Sequence, residues 1–182
     1  MKFQRFRLLN QVASYLGDCR QLIHELDDRG IDLCLTSPPY AEQRKADYPS
    51  VAEEDYTEFT LAWMEALRPK LSSNGSVLIN IDPHVKDGVV ADYVLKLQIA
   101  LRETGWKQHR TQIWEKGGLP LARHDWPRHA YEQVLWFSLS NNPFCDPRAA
   151  GTLSKRIPVK DDKRFTMERS QGCRHNWHCS CL

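Results

Sequence analysis

The spacing of apolar residues between positions 19 and 138 predicts alternating helices and strands. Four segments predict strands: RGIDLCLTS, which we expect to be buried, then SVLINID, WKQHRTQIWEK and EQVLWFSLS. Three others carry apolar residues at helical spacing: CRQLIHELDDRG, DYTEFTLAWMEALRPKLSSNG (with SSNG closing the helix) and VADYVLKLQIALRETG. This alternation predicts a parallel, doubly wound α/β sheet, and such sheets bind ligands beyond the carboxyl ends of their strands.

The composition places the chain among globular proteins. It has 182 residues, of which 41% are hydrophobic, and this length fits one domain with a sizeable core. No apolar stretch is long enough for a membrane span or a signal peptide. We therefore expect a cytoplasmic protein that makes no membrane contact and whose 6 cysteines are free thiols.

Charge is distributed unevenly along the chain. Up to Trp106 there are 12 Lys and Arg against 16 Asp and Glu, whereas the remainder has 13 against 7. The basic half could face a polyanion, or it could be an ordinary solvated surface. Within it, Lys116, Arg123 and Arg128 are candidates for contacts with a DNA backbone. The alternative is a loop that packs on the sheet through Trp126.

The four residues SPPY, at positions 37 to 40, follow the first predicted strand. One interpretation is a rigid turn, because proline fixes φ and lacks an N–H donor. The other is a site for an aromatic amine. The Ser37 hydroxyl and the Pro38 carbonyl could accept its two hydrogens, Pro39 would hold the turn, and Tyr40 could stack on its ring. Such a site suits a nucleobase swung out of its duplex.

With the preceding threonine, these residues resemble the catalytic motif of DNA amino-methyltransferases. The resemblance runs over about residues 15 to 140 and includes YLGDCRQLIHEL, LRPKLSSNGSVLINI, TGWKQHRTQIWEK and WPRHAYEQVLWFSLS in the family's order. It implies a Rossmann-like methyltransferase sheet and transfer of a methyl group from S-adenosyl-L-methionine to an exocyclic nitrogen of double-stranded DNA. Ser37, Pro38, Pro39 and Tyr40 would be the catalytic residues.

The order of the motifs also implies a subclass within this family. No glycine-rich FxGxG loop precedes Ser37, which resembles the permuted β class, often part of restriction–modification systems. Serine as the first motif residue is associated in the family with N4-cytosine methylation. Two alternatives stay open: an N6-adenine enzyme of the same fold, and a non-catalytic DNA-binding remnant.

The cofactor site looks incomplete in this sequence. By resemblance, Asp18 and Cys19 lie near the adenosine end of S-adenosyl-L-methionine, although Asp18 could instead be a turn residue after Gly17. The glycine loop is not found after Tyr40 either, so we expect an incomplete sheet in a chain cut short before that loop. Such a chain would be nearly inactive alone, and a second polypeptide could supply the missing segment.

Two regions complete the organisation predicted from the sequence. Residues 1–140 are the catalytic half of the methyltransferase domain, and residues 141–182 are the irregular start of a target-recognition region. The terminal CRHNWHCSC has residue types that bind zinc, but its spacing is cramped and it lacks a matching second pair. We therefore expect no metal site.

Overall fold

The structure, a computed structural model, describes residues 4–9, 12–42, 50–116 and 130–146. The chain divides into two units, Met1–Phe144 and Cys145–Leu182. Only Cys145 and Asp146 of the second unit are described, so the fold presented here is that of the first. The assignment of residues 141–182 to a target-recognition region stays a prediction.

The described residues form eight strands, three α-helices and two short 3-10 turns. In chain order these are β1 (Gln4–Leu9), β2 (Val12–Leu16), α1 (Cys19–Leu22), a 3-10 turn (Ile23–Glu25), β3 (Ile31–Thr36), α2 (Tyr56–Leu67), a 3-10 turn (Arg68–Lys70), β4 (Leu71–Ile81), β5 (Val85–Lys86), β6 (Val89–Val90), α3 (Tyr93–Glu103), β7 (Lys107–Glu115) and β8 (Tyr131–Ser138).

The central sheet has four strands in the order β3-β4-β8-β7. Strands β3 and β4 run parallel, as predicted, but β8 is antiparallel to both β4 and β7. Strand β7 therefore runs in the same direction as β3 and β4, and the prediction of an all-parallel sheet was wrong for β8 alone. A parallel crossover usually contains a helix, and the sequence between β7 and β8 has no helical pattern. The α/β fold class is confirmed, with a mixed sheet.

Helices α2 and α3 build the core against one face of this sheet. Their buried residues Trp63, Met64, Leu97 and Leu101 belong to one cluster with alternate residues of β4 (Val77, Ile79, Ile81) and of β8 (Leu135, Phe137). The alternation follows the period of two in a strand, which sends successive side chains to opposite faces. Both helices were predicted from their apolar spacing, and both are confirmed.

Strand β3 lies at an edge of the sheet, and the prediction that it is buried was wrong. Leu33 is 56% exposed and Leu35 is 66% exposed. Both lie on the sheet face opposite the helix-facing residue Cys34, as their pairing with Ser76 and Leu78 shows. An apolar run of this kind is typical of a strand flanked on both sides, and in the described part of the chain β3 pairs with β4 alone.

Three local features differ from the sequence prediction or were missed by it. Helix α1 has four residues and continues as a 3-10 turn, so the first predicted helix is shorter than expected. Helix α2 ends before Pro69, and the SSNG segment belongs to strand β4 instead of closing the helix. The antiparallel hairpin of β1 and β2 was not predicted.

Two further features concern the helices and the cysteines of the described residues. They include no helix that is long and apolar enough to span a membrane. Cys19, Cys34 and Cys145 are free, as expected, and the other cysteines lie outside the described residues. Burial raises the pKa of the Cys34 thiol, which disfavours its thiolate form at neutral pH.

Candidate active site

Polar side chains that lie in or directly after four strands converge at one end of the central sheet. The SPPY turn follows the carboxyl end of β3, and Asn80 lies near the carboxyl end of the parallel strand β4. Because β8 runs antiparallel to β4, its first residues, including Glu132, lie at the same end of the sheet. Lys116 follows β7 directly and reaches it too. Open α/β sheets bind their ligands at this end, beyond the carboxyl ends of the parallel strands.

The Tyr40 hydroxyl forms two hydrogen bonds at this end of the sheet. The hydroxyl donates a hydrogen bond to Glu132 Oε2 at 3.0 Å and accepts one from Asn80 Nδ2 at 3.1 Å. The Asn80 amide also donates to Glu132 Oε2, at 2.6 Å. Asn80 and Glu132 can meet because Asn80 pairs with Val134, which places Glu132 diagonally across on the same face.

Glu132 is the acceptor at the centre of this cluster. Its side chain is 10% exposed, and its second oxygen, Oε1, forms an ion pair with Lys116 Nζ. Burial acts to raise the pKa of this carboxyl, but the hydrogen bonds from Lys116, Asn80 and Tyr40 outweigh burial and lower it. Glu132 is therefore ionised at neutral pH and can only accept hydrogen bonds.

The same surroundings keep Tyr40 protonated. Burial, followed by the neighbouring Glu132, raises the pKa of the Tyr40 phenol to about 12, although Ser37 acts in the opposite direction. Ser37 itself is exposed, Pro38 is buried, and Pro39 and Tyr40 are half-buried. The turn thus presents a solvent-accessible hydroxyl beside a tyrosine ring whose hydroxyl group has two partners.

A cleft of about 580 Å³ runs along β3 and reaches the turn. Its lining is mostly apolar and includes Cys19, Ile23, Phe59 and Trp63, with Thr36 and Ser37 as polar members. A flat apolar group such as an adenine ring fits this lining. No acidic residue lines the cleft in the described part of the chain, so a carboxylate acceptor for ribose hydroxyls is not among these residues.

The Asp18 carboxylate accepts hydrogen bonds from Arg20, two residues later in the chain. It is the N-cap of α1, its Oδ1 accepts the Arg20 backbone N–H at 2.9 Å, and its Oδ2 accepts Arg20 Nη2 at 2.6 Å. These hydrogen bonds from Arg20 lower the pKa of the Asp18 carboxyl. This geometry favours the interpretation of Asp18 as a turn residue, while Cys19 lies in the wall of the cleft.

The structure thus brings together Ser37, Pro38, Pro39, Tyr40 and Lys116. Lys116 was predicted to contact DNA, and here its ammonium group is paired with Glu132. Arg123 and Arg128 lie outside the described residues. No set of three or more His, Cys, Asp or Glu side chains within the described ranges could hold a metal ion, and the CRHNWHCSC tail lies beyond them.

Sequence reasoning assigned no role to Asn80 or Glu132. Asn80 lies between two isoleucines in the strand segment SVLINID, and Glu132 lies at the start of the strand segment YEQVLWF. Buried polar residues of this kind need a hydrogen-bond partner, so their position in a strand was a usable signal. The identity of that partner depends on strand order and register, which the sequence did not reveal.

Comparison with known proteins gives a consistent result. M.PvuII, a type II methyltransferase of Proteus hauseri, is 24% identical over 177 residues, which is 90% of this chain and 53% of that protein. M.MwoI, a type II methyltransferase of Methanothermobacter wolfeii, is 29% identical over 135 residues, covering 69% of this chain and 20% of that protein. The chain therefore spans about half the length of M.PvuII, and less of M.MwoI.

Solved structures share the fold. The PvuII DNA methyltransferase (cytosine-N4-specific) superposes with a TM-score of 0.62 at 26% identity, covering 72% of this chain and 50% of that one. The sequence model of the N6_N4_Mtase family, described as DNA methylase, matches residues 31–180, which include the SPPY turn, the Asn80–Glu132 cluster and all four strands of the central sheet. The chain belongs to the N6_N4_Mtase family of DNA methylases.

Proposed function

We propose that this chain carries the base-binding half of a DNA methyltransferase that methylates the N4 amino group of cytosine, with S-adenosyl-L-methionine as methyl donor. The observation that carries the proposal is the position of the SPPY turn. It follows an edge strand, lies at the ligand-binding end of the sheet and has Tyr40 held by Glu132 and Asn80. The similarity to a cytosine-N4-specific enzyme supports cytosine over adenine as the target.

The turn would act by binding and orienting the amine. The exposed Ser37 hydroxyl and the Pro38 carbonyl would accept the two N–H bonds of the cytosine amino group. The nitrogen lone pair of such an amine is delocalised into the ring, and hydrogen bonds to both hydrogens favour a pyramidal nitrogen with an available lone pair. Tyr40 would stack on the extruded base, which holds its amine in line for attack.

The cleft along β3 would hold part of the cofactor. When bound, S-adenosyl-L-methionine supplies an electrophilic methyl group on its sulfonium sulfur. The apolar lining with Cys19, Ile23 and Phe59 would pack on its adenine ring and exclude water from that side. We place Asp18 outside the ribose contacts, because Arg20 already occupies its carboxylate.

Other basic residues would hold the DNA. Arg123 and Arg128 remain candidates for phosphate contacts, whereas Lys116 acts inside the site through Glu132. The cytoplasm, where such DNA is found, is the expected compartment. A second polypeptide that completes the enzyme is a possibility raised by the sequence alone, and no comparison supports it.

Methyl transfer can be measured directly with the purified chain. Unmethylated genomic DNA is incubated with donor carrying a tritiated methyl group, so that the recognised sequence need not be known. Because no glycine loop was found in the sequence, we expect the chain alone to transfer methyl groups slowly. With long incubation and excess donor, acid-insoluble label should still rise above background, and this rate should fall at least tenfold in Ser37→Ala, which removes one amine acceptor. The exposed Ser73 provides the matched control, and Ser73→Ala should label DNA at the parent rate.

Two results would count against this function. If the parent chain binds DNA and incorporates no label, the chain is a DNA-binding remnant. If Ser37→Ala and Ser73→Ala label DNA equally, the turn is not the amine site.

A further inference from the structure

We propose that Glu132 is a positioning residue for Tyr40, and that Lys116 and Asn80 hold Glu132 in the state that does this. The inference rests on the proposed function, since it concerns the ring that would stack on the target base. It concerns three residues to which neither the resemblance nor the comparisons assign this role. The carrying observation is that one oxygen, Glu132 Oε2, accepts from both the Tyr40 hydroxyl and the Asn80 amide.

The geometry at the hydroxyl determines the plane of the ring. A phenol O–H lies close to the plane of its own ring, so the direction of its acceptor constrains how the ring is turned. Tyr40 donates to Glu132 at 3.0 Å and accepts from Asn80 at 3.1 Å, so both directions are defined. A ring constrained in this way offers the same face to each incoming base, which lowers the entropy lost on stacking.

Lys116 explains why a carboxylate can occupy this place. A nearly buried charge is costly unless it is paired and hydrogen-bonded. Glu132 Oε1 is paired with Lys116, which leaves Oε2 for Tyr40 and Asn80. Since an ionised carboxylate only accepts, the Tyr40 proton must point toward Glu132 and cannot turn toward the bound base.

The chain itself offers a matched control residue. In the β7–β8 ladder Trp114 pairs with Glu132, whereas Glu115 pairs with Tyr131. Glu115 therefore points to the opposite face of the sheet, where its charge does not contact Tyr40. Replacing Glu115 removes the same charge from the same end of the sheet while leaving the cluster intact.

The first measurement uses the chain labelled with 3-fluorotyrosine and needs no enzymatic activity. The Tyr40 resonance is assigned by its loss in Tyr40→Phe, and its titration is followed by fluorine NMR. We expect Glu132→Gln to lower the titration midpoint of Tyr40 by about one pH unit, because a negative neighbour is removed. Glu115→Gln should leave the midpoint unchanged.

The second measurement is a double-mutant cycle on methyl transfer. We expect Glu132→Ala to lower kcat/KM for DNA by about tenfold in the parent, and by less than twofold in the Tyr40→Phe background. Glu132→Gln should recover part of the loss, because its amide oxygen can still accept from Tyr40. A purely structural role would give the same loss in both backgrounds and no recovery by glutamine.

The outcomes separate the inference from the proposed function. An unchanged Tyr40 midpoint in Glu132→Gln, or equal losses in both backgrounds, would overturn the positioning role. If the parent chain transfers no methyl group, the proposed function fails and the fluorine titration alone decides. A lowered titration midpoint of Tyr40 in Glu132→Gln would then still support the positioning of Tyr40 by Glu132.

Discussion

Tyr40 and Glu132 are separated by 92 positions in the chain, yet the tyrosine hydroxyl lies 3.0 Å from the glutamate oxygen that accepts its hydrogen bond. This contact joins the turn after an edge strand to the first residues of an inner strand of the sheet. It connects the SPPY residues, which the sequence singles out, to a cluster that only the fold brings together.

The proposed stacking role of Tyr40 predicts a graded series of variants. Tyr40→Phe keeps the ring and loses both hydrogen bonds of the hydroxyl, while Tyr40→Ala loses the ring as well. We expect Tyr40→Ala to bind and methylate DNA more weakly than Tyr40→Phe by about 1–3 kcal/mol, the usual contribution of one base–aromatic stack. Label incorporation into DNA measures the series, and equal rates for the two variants would refute stacking.

The lowered pKa of Glu132 predicts a pH-dependent contribution to stability. In the unfolded chain the carboxyl titrates near its ordinary value of 4.5, and in the folded chain it titrates lower. Its contribution is therefore complete above the unfolded value and is lost as the pH falls through the folded value. We expect Glu132→Gln to lower the free energy of unfolding by about 1–3 kcal/mol at pH 7.

This difference between the parent and Glu132→Gln should shrink as the pH falls below 4.5. Urea unfolding at a series of pH values measures it, with Glu115→Gln as the control for general charge effects. Tyr40, which faces the carboxyl, keeps its proton throughout this range because its pKa is raised to about 12. A difference that is constant between pH 7 and pH 3 would contradict the predicted titration of Glu132.

Much of the fold could be predicted from local patterns. Helices α2 and α3 and strands β4 and β8 follow from apolar spacing, because each buries one face in a common core. Strands β3 and β7 were also predicted, although within the described residues β3 adds only partly buried side chains to that core and β7 adds none. The hairpin of β1 and β2 was missed, because Asn10 and Gln11, which lie between its strands, are not one of the glycine-containing pairs that mark a hairpin turn in a sequence. The direction of β8 was also missed, because strand direction depends on the connection and not on the strand itself.

The candidate site was only half predictable for a similar reason. The SPPY turn is contiguous, so its residue types predict an amine-binding site from the sequence alone. The partners of Tyr40 come from β4, from β8 and from the end of β7, and they meet only through the order β3-β4-β8-β7. Lys116 was singled out by its charge, but the pairing with Glu132 that changes its role depends on strand register.

Gly75 lies at a position in β4 that leaves no space for a side chain. The register between β3 and β4 shifts after Ile31, and a β-carbon on Gly75 would come within 2.9 Å of the Ile31 carbonyl oxygen. We expect Gly75→Ala to lower the free energy of unfolding by about 1–3 kcal/mol, the usual range for overpacking. The exposed Ser73 in the same strand is the control, and equal urea midpoints for Gly75→Ala and Ser73→Ala would contradict this geometry.

Helix α3 provides a matched pair of leucines. Leu97 is fully buried against the sheet, while Leu95, two residues earlier, is 63% exposed. We expect Leu97→Ala to lower the free energy of unfolding by about 2–5 kcal/mol. Leu95→Ala should change it by less than about 0.5 kcal/mol. Similar losses for the two variants would mean that α3 packs on the sheet through a different face.

The identity of the methylated base tests the central claim most directly. Unmethylated DNA is treated with the purified chain and S-adenosyl-L-methionine, digested to nucleosides and analysed by mass spectrometry against N4-methylcytosine and N6-methyladenine standards. The account predicts N4-methyldeoxycytidine in the parent reaction and its loss in Tyr40→Ala. N6-methyldeoxyadenosine as the only new nucleoside, or no new nucleoside from a chain that binds DNA, would contradict it.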